Sequence, residues 1–184
     1  MNIYLIGYRC TGKTTVGRWL AGKLGWSFVD SDEEIVRAHG MTILHIVRAQ
    51  GWEGFRKKEK EALSRIGRLD RHVVATGGGA VLDPENVWRM KDTGTAFWLK
   101  ASPETIRSRM AIDGGTGPLR PSLTSKGTEQ EVEAVLTQRM PLYAGAAEFS
   151  VDTDDRTPEE IGQEILRFAQ LESWNAGKPG GLEK

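Results

Sequence analysis

Gly7-Tyr8-Arg9-Cys10-Thr11-Gly12-Lys13-Thr14 is the stretch on which the reading of this chain turns. It has the form GxxxxGK[ST], a turn whose glycines let successive backbone N–H groups converge on a phosphate anion. Lys13 adds a mobile positive charge for β- and γ-phosphates, and the Thr14 hydroxyl is an oxygen ligand of the kind Mg²⁺ accepts. Cys10, Thr11, Gly12, Lys13, Thr14 and Thr15 are therefore the expected nucleotide-binding set. The flanks agree. Before the turn, Met1 to Gly7 is an apolar run that reads as a buried strand, and after it Lys13 to Leu24 reads as a helix. Val16, Leu20 and Leu24 recur at i, i+4, i+8, so that helix has one buried face, and its positive dipole end meets the same phosphate.

The chain has 184 residues, enough for one α/β domain with a substantial core. Lys and Arg number 25 against 25 Asp and Glu, and no basic run stands out. A nucleic-acid footprint or a polybasic membrane anchor is not indicated. The start MNIYLIG is too short an apolar run for a signal peptide, and no apolar stretch reaches the ~18 residues of a membrane span. A single cysteine excludes an internal disulfide and agrees with a reducing compartment, so a cytoplasmic protein is expected.

Further along, Trp26 to Asp30 reads as a second strand ending in the carboxylate pair Asp30 and Asp32. Helical segments follow over Glu33 to His39, Thr42 to Gln50 with Thr42 as N-cap, and, past Gly51, Trp52 to Ile66. Phe55, Glu59, Ala62, Leu63 and Ile66 fall on one side of the last. A third strand, His72 to Thr76, runs into Gly77, Gly78 and Gly79. A helix over Pro84 to Lys91, a strand over Thr95 to Leu99 and a helix from Ser102 to about Met110 follow. Residues 111 to 127 are rich in Gly, Pro, Ser and Thr and read as a mobile surface segment. Thr128 opens a helix expected to be disturbed at Pro141. Glu148 to Val151 is a fifth strand, Thr157 opens the final helix, and 174 to 184 read as a disordered tail. Trp26, Trp88 and Trp98 lie in or near apolar segments and are expected in the core. Strands alternating with helices predict a three-layer α/β/α fold around a five-stranded parallel sheet. Ligands then gather at the carboxyl ends of the strands, where the phosphate turn, Asp30/Asp32 and Gly77 to Gly79 converge.

No NKxD guanine-reading motif is present, and the third strand ends in Thr76-Gly77 without an acid. A phosphate turn beside a carboxylate pair, without an evident water-activating glutamate, favours phosphoryl transfer to a bound acceptor over hydrolysis. Each residue also has a plain structural reading. Asp30 and Asp32 suit a strand exit and a helix N-cap. Arg56 suits a solvated helix charge, with Glu59 placed to pair with it. Gly77 to Gly79 suit a loose turn, Arg120 a surface position, and Arg139 the negative end of a helix dipole.

Taken together, GYRCTGKTTVG, FVDSD, GFRKKE, ATGGGA, LRPSLT and QRMPLY resemble the shikimate kinase family across residues 1 to about 170. The resemblance implies a P-loop kinase of the nucleoside monophosphate kinase-like fold, a single kinase domain over 1–173 with a lid over about 111–127. It implies ATP and Mg²⁺ as cofactors, shikimate as acceptor, and a monomer. Residue by residue, it places Mg²⁺ at Thr14 and Asp30 and shikimate at Asp32, Arg56, Gly77, Gly78, Gly79 and Arg139. Lys13, Asp32 and Arg120 become the catalytic set, Arg120 as the lid arginine over the phosphates. Arg109 and Arg156 fall near the adenine. The chemistry is consistent: guanidinium forks grip a carboxylate, and Asp32 can accept hydrogen bonds from hydroxyls and aim one at the γ-phosphate. Trp52, beside Arg56, is placed near the acceptor.

One departure from the family pattern stands inside the phosphate turn, where Cys10 replaces the usual glycine. Its side chain is expected to point away from the phosphates, or the turn to shift, and ATP to shield it from alkylation. Two competing readings remain: a kinase of the same fold for another polyol acid such as gluconate, and a non-catalytic ATP-binding module.

Overall fold

The computed structural model describes residues 1–112 and 128–176, with side chains for all of these except 128–131 and 170–176. Arg120, with the rest of 113–127, and residues 177–184 therefore lie outside the described residues. Five strands, β1 (Asn2–Ile6), β2 (Ser27–Asp30), β3 (His72–Ala75), β4 (Gly94–Lys100) and β5 (Phe149–Asp152), form one sheet in the order β2-β3-β1-β4-β5. Every pairing is parallel, with Tyr4 opposite Val74 on one side of β1 and Ala96 on the other.

Parallel strands require crossovers, and these are the helices α1 (Lys13–Leu24), α2 (Ser31–His39), α3 (Ile43–Ile66), α4 (Pro84–Thr93), α5 (Pro103–Ile112) and α6 (Thr128–Ala146), while α7 (Pro158–Ala176) follows the last strand. A period of two in β1 divides the core. Ile3 and Leu5 face α1 and α7, meeting Val16, Leu20, Ile161 and Ile165. Tyr4 and Ile6 face the other way, toward Leu63 and Ile66 of α3, Met90 of α4 and Tyr143 of α6. These side chains are all 3% exposed or less, and each large aliphatic one contributes roughly 1.5–3 kcal/mol by leaving water. The sheet is thus buried on both faces, which is the three-layer arrangement expected of near-continuous apolar strands.

Gly51 separates the two halves of α3 as read from sequence: its φ of 70° and ψ of 178° lie where only glycine is comfortable. The helix beyond it buries Phe55, Glu59, Ala62, Leu63 and Ile66. Two expectations are corrected. Pro141 does not interrupt α6, which continues to Ala146 because Tyr143 and Ala146 beyond it are held in the core. Trp88 is 59% exposed, not core. Asn86 and Met90, one turn apart, take the inner face of α4 and leave position 88 outside, where Arg89 lies over the indole.

Candidate active site

The phosphate turn leaves β1 at its carboxyl end and enters α1 at Lys13. Gly12 caps that helix with a φ of 89°, which a side chain would oppose. Cys10 adopts a φ of 61°, so a residue with a Cβ stands where the left-handed region favours glycine. Thr11 Oγ1 donates to Tyr8 O at 2.9 Å and ties the turn to itself. Lys13 Nζ donates to Gly7 O at 2.9 Å and Tyr8 O at 2.6 Å. The ammonium is thereby parked against the turn, within the same cleft as the N-terminus of α1.

Beside it, Thr14 Oγ1 donates to Asp30 Oδ2 at 3.0 Å. The other oxygen of Asp30 caps α2, accepting from the backbone N–H of Asp32 at 3.0 Å and of Glu33 at 3.4 Å. The plain reading of Asp30 as a helix cap thus holds for one oxygen, and the other oxygen meets Thr14. Capping fixes the carboxylate and aims its second oxygen at Thr14. A hydroxyl and a carboxylate meeting on the wall of a cavity of about 620 Å³ are hard oxygen donors of the kind Mg²⁺ takes. Lys13, Thr15, Asp32 and Gly78 line that same cavity.

An adjoining cavity of about 70 Å³ is lined by Asp32, Arg56, Gly77, Gly78, Gly79 and Arg139. These are all the acceptor residues expected from sequence, brought together from α2, α3, the β3–α4 connection and α6. Asp32 and Gly78 belong to both cavities, so the acceptor space abuts the phosphate space. Two of the glycines let side chains close on the backbone. A Cβ at Gly77 would stand 2.6 Å from Asp32 Oδ1 and 2.7 Å from Glu59 Oε1, and one at Gly79 would collide with the Arg56 guanidinium. The room is taken by functional side chains closing on the backbone.

Arg56 Nη1 donates to Glu59 Oε2 at 2.6 Å, and its guanidinium lies over the rings of Trp52 and Phe55 at 5.4 and 5.2 Å. Glu59 is 1% exposed. Burial pushes its carboxyl above the ordinary value and the Asp32 charge adds to this, while Arg56 and Arg139 oppose both. Across the cavity, Arg139 Nη1 and Tyr143 Oη both donate to Gly78 O, at 3.0 and 2.6 Å. Arg9 of the phosphate turn also lines this wall, giving three guanidinium groups to two carboxylates. The excess suits a small anionic acceptor.

A third cavity, of about 310 Å³, lies on the outer side of the turn, between Cys10, Thr11, Gly12, Thr15, Arg109 and Arg156. Arg109 is held by Thr153 O at 2.6 Å and Cys10 O at 3.3 Å, and Arg156 by Asp152 O at 3.0 Å. Cys10 faces both this cavity and the phosphate cavity. Of the predicted set, only Arg120 lies outside the described residues. Arg9, Ile43 and Tyr143 carry no site assignment from sequence, and Phe55 reads there only as part of a buried helix face. Arg9 was visible as a cation inside the phosphate turn, whereas Tyr143 had no signal beyond its place in QRMPLY.

The shikimate kinase family model matches residues 9–170. A shikimate kinase of Syntrophus aciditrophicus is 41% identical over 182 residues, spanning 95% of this chain and 93% of its own. One of Thermodesulfovibrio yellowstonii is 43% identical over 166 residues, spanning 90% and 93%. The solved structure of shikimate kinase from Acinetobacter baumannii in complex with shikimate superposes with a TM-score of 0.86 at 36% identity, covering 93% of each chain. Likeness of sequence over nearly the full length, and of fold to the same degree, goes with a cleft that joins a phosphate turn to a guanidinium-walled acceptor space: this chain belongs to the shikimate kinase family.

Proposed function

We propose that this chain transfers the γ-phosphoryl group of ATP to the 3-hydroxyl of shikimate, giving shikimate 3-phosphate and ADP in aromatic amino-acid (chorismate) biosynthesis. It does so as a monomeric cytoplasmic enzyme with one kinase domain over 1–173. The observation that carries the reading is the sharing of Asp32 and Gly78 by the acceptor and phosphate cavities. An acceptor hydroxyl seated on Asp32 would lie next to the transferring phosphoryl group, so proximity does much of the work.

Arg56 and Arg139 take the acceptor carboxylate in forked hydrogen bonds, Arg56 being already oriented by Glu59. Asp32 accepts the hydrogen bond of the reacting hydroxyl and receives its proton as the oxygen attacks phosphorus. The bond to the β-phosphate oxygen breaks and the charge goes to ADP. Lys13 and the turn's N–H groups stabilise that charge where it develops. Thr14 and Asp30 would hold Mg²⁺, which supplies neutralisation of phosphate charge. Arg109 and Arg156 flank the adenine in the third cavity. Arg120, carried over from the family's lid arginine and outside the described residues, would neutralise charge on the transferring group.

A coupled ADP-release assay with shikimate, quinate, gluconate and nucleoside monophosphates separates the alternatives. Release with shikimate alone is expected. Release with gluconate alone would replace the acceptor, and release with none would leave a nucleotide-binding module.

A further inference from the structure

We propose that Tyr143, which lines neither the acceptor nor the phosphate cavity, is a positioning residue that locks the Gly78 carbonyl and so sets the acceptor against the phosphate turn. The inference rests on the shikimate kinase reading of this cleft. A carbonyl oxygen has two lone pairs, and at Gly78 both are used, by Arg139 Nη1 at 3.0 Å and Tyr143 Oη at 2.6 Å. The donors come from one face of α6, a turn apart and more than sixty residues from Gly78 in the chain. On its other side Gly78 packs against the phosphate turn: a Cβ there would stand in ordinary van der Waals contact, 3.4 Å from Gly7 O and 3.5 Å from Arg9 N. The Gly78 peptide is thus held by two donors of α6 and packed against the phosphate turn.

That peptide is planar, so fixing its oxygen fixes the direction of the Gly79 N–H on the wall of the acceptor cavity. It also fixes Arg139. One nitrogen of the guanidinium is committed to Gly78, and the planar fork then presents its remaining donors in a set direction. The phenol is suited to the task. Tyr143 is 1% exposed, and its ring stacks on Trp98 at 5.7 Å, so it cannot swing away. Burial also pushes its hydroxyl up to about 12, which keeps it a donor across the working range of the enzyme. A packing role alone would be met by phenylalanine, which has the same ring.

Tyr143→Phe removes only the hydroxyl. In the full chain, the variant is expected to raise KM for the acceptor about 5- to 20-fold, as loss of one oriented hydrogen bond would, while KM for ATP stays within twofold. Its effect should also be non-additive with that of Arg139→Lys, since both act through one oxygen. An unchanged acceptor KM, or equal changes for both substrates, would overturn the proposal. Should Tyr143→Phe fail to fold, 3,5-difluorotyrosine at 143 keeps ring and hydroxyl but ionises at lower pH. Acceptor KM should then climb with pH in the variant and not in the parent, and a flat profile would refute the role. If the parent enzyme ignores shikimate but phosphorylates another acceptor, the functional reading falls and the same ratios are measured with that acceptor. If it phosphorylates none, both fall.

Discussion

Thr14 Oγ1 lies 3.0 Å from Asp30 Oδ2, joining the first helix of the chain to the end of the second strand at the floor of the phosphate cavity. The pairing depends on Asp30 using its other oxygen to cap α2. One carboxylate therefore caps a helix and meets Thr14 at the cavity wall.

The two duties can be separated by substitution. Asn caps helices about as well as Asp, so Asp30→Asn should leave the melting temperature nearly unchanged. It removes the charge offered to a cation, and the Mg²⁺ concentration for half-maximal activity should rise about tenfold or more. Asp30→Ala should add a stability loss of about 1 kcal/mol from the missing cap. Magnesium titration of activity with calorimetric melting reads both effects, and a Mg²⁺ response unaltered in Asp30→Asn would remove the metal role.

Asp32 is the carboxylate common to acceptor and phosphate cavities. Replacing it by Asn keeps the shape and loses the proton acceptor. Turnover should fall by about 10² to 10⁴, with ATP binding by calorimetry nearly intact. Loss of both together would mean that Asp32 holds the cleft rather than the reaction.

Glu59 is buried against Arg56 at 2.6 Å, with burial holding its carboxyl above the ordinary range. Glu59→Gln retains the volume but weakens the charge-assisted bond that orients the guanidinium. Acceptor KM should rise roughly tenfold, the scale of one charge-assisted hydrogen bond, with KM for ATP unaffected. Steady-state kinetics with each substrate varied tests this, and a shift confined to ATP would count against it.

Cys10 occupies a left-handed conformation with φ of 61°. Cys10→Gly should relieve strain of ~1 kcal/mol, partly offset by the extra freedom of glycine in the unfolded chain. A net gain of about 1–2 °C in melting temperature is expected for a chain of this length. Because Cys10 faces both the phosphate cavity and the outer one, Mg-ATP should slow its alkylation. Equal rates with and without the nucleotide would show that the side chain lies clear of it.

Tyr143 carries a pH signature. Its hydroxyl is raised from 10.0 to about 12 in the folded chain, chiefly by burial. Below the unfolded value both states hold the proton and the contribution is fully present. Between about 10 and 12 the unfolded state gives up its proton first, so stability is lost as pH rises. The stability lost over that range is roughly 2–3 kcal/mol. Urea unfolding at pH 9 and pH 11 should show a larger loss in the parent chain than in Tyr143→Phe, and equal losses would contradict the shift.

Read by itself, the sequence determined what local chemistry can determine. The strand, phosphate turn and helix at the start, the buried face of the second half of α3, the break at Gly51 and the cap at Thr42 follow from spacing and residue type, and the structure has them. Family resemblance carried the acceptor residues, which no local pattern joins. Tertiary structure alone decided that Arg139 and Tyr143 would converge on Gly78 O and that Asp32 would come to the Arg56–Glu59 pair. It also decided that Trp88 would face water. The physical reason is range. Backbone preference and periodicity act over a few residues, whereas the acceptor wall is assembled by helices crossing a parallel sheet, whose contacts are set by packing between parts of the chain far apart in sequence.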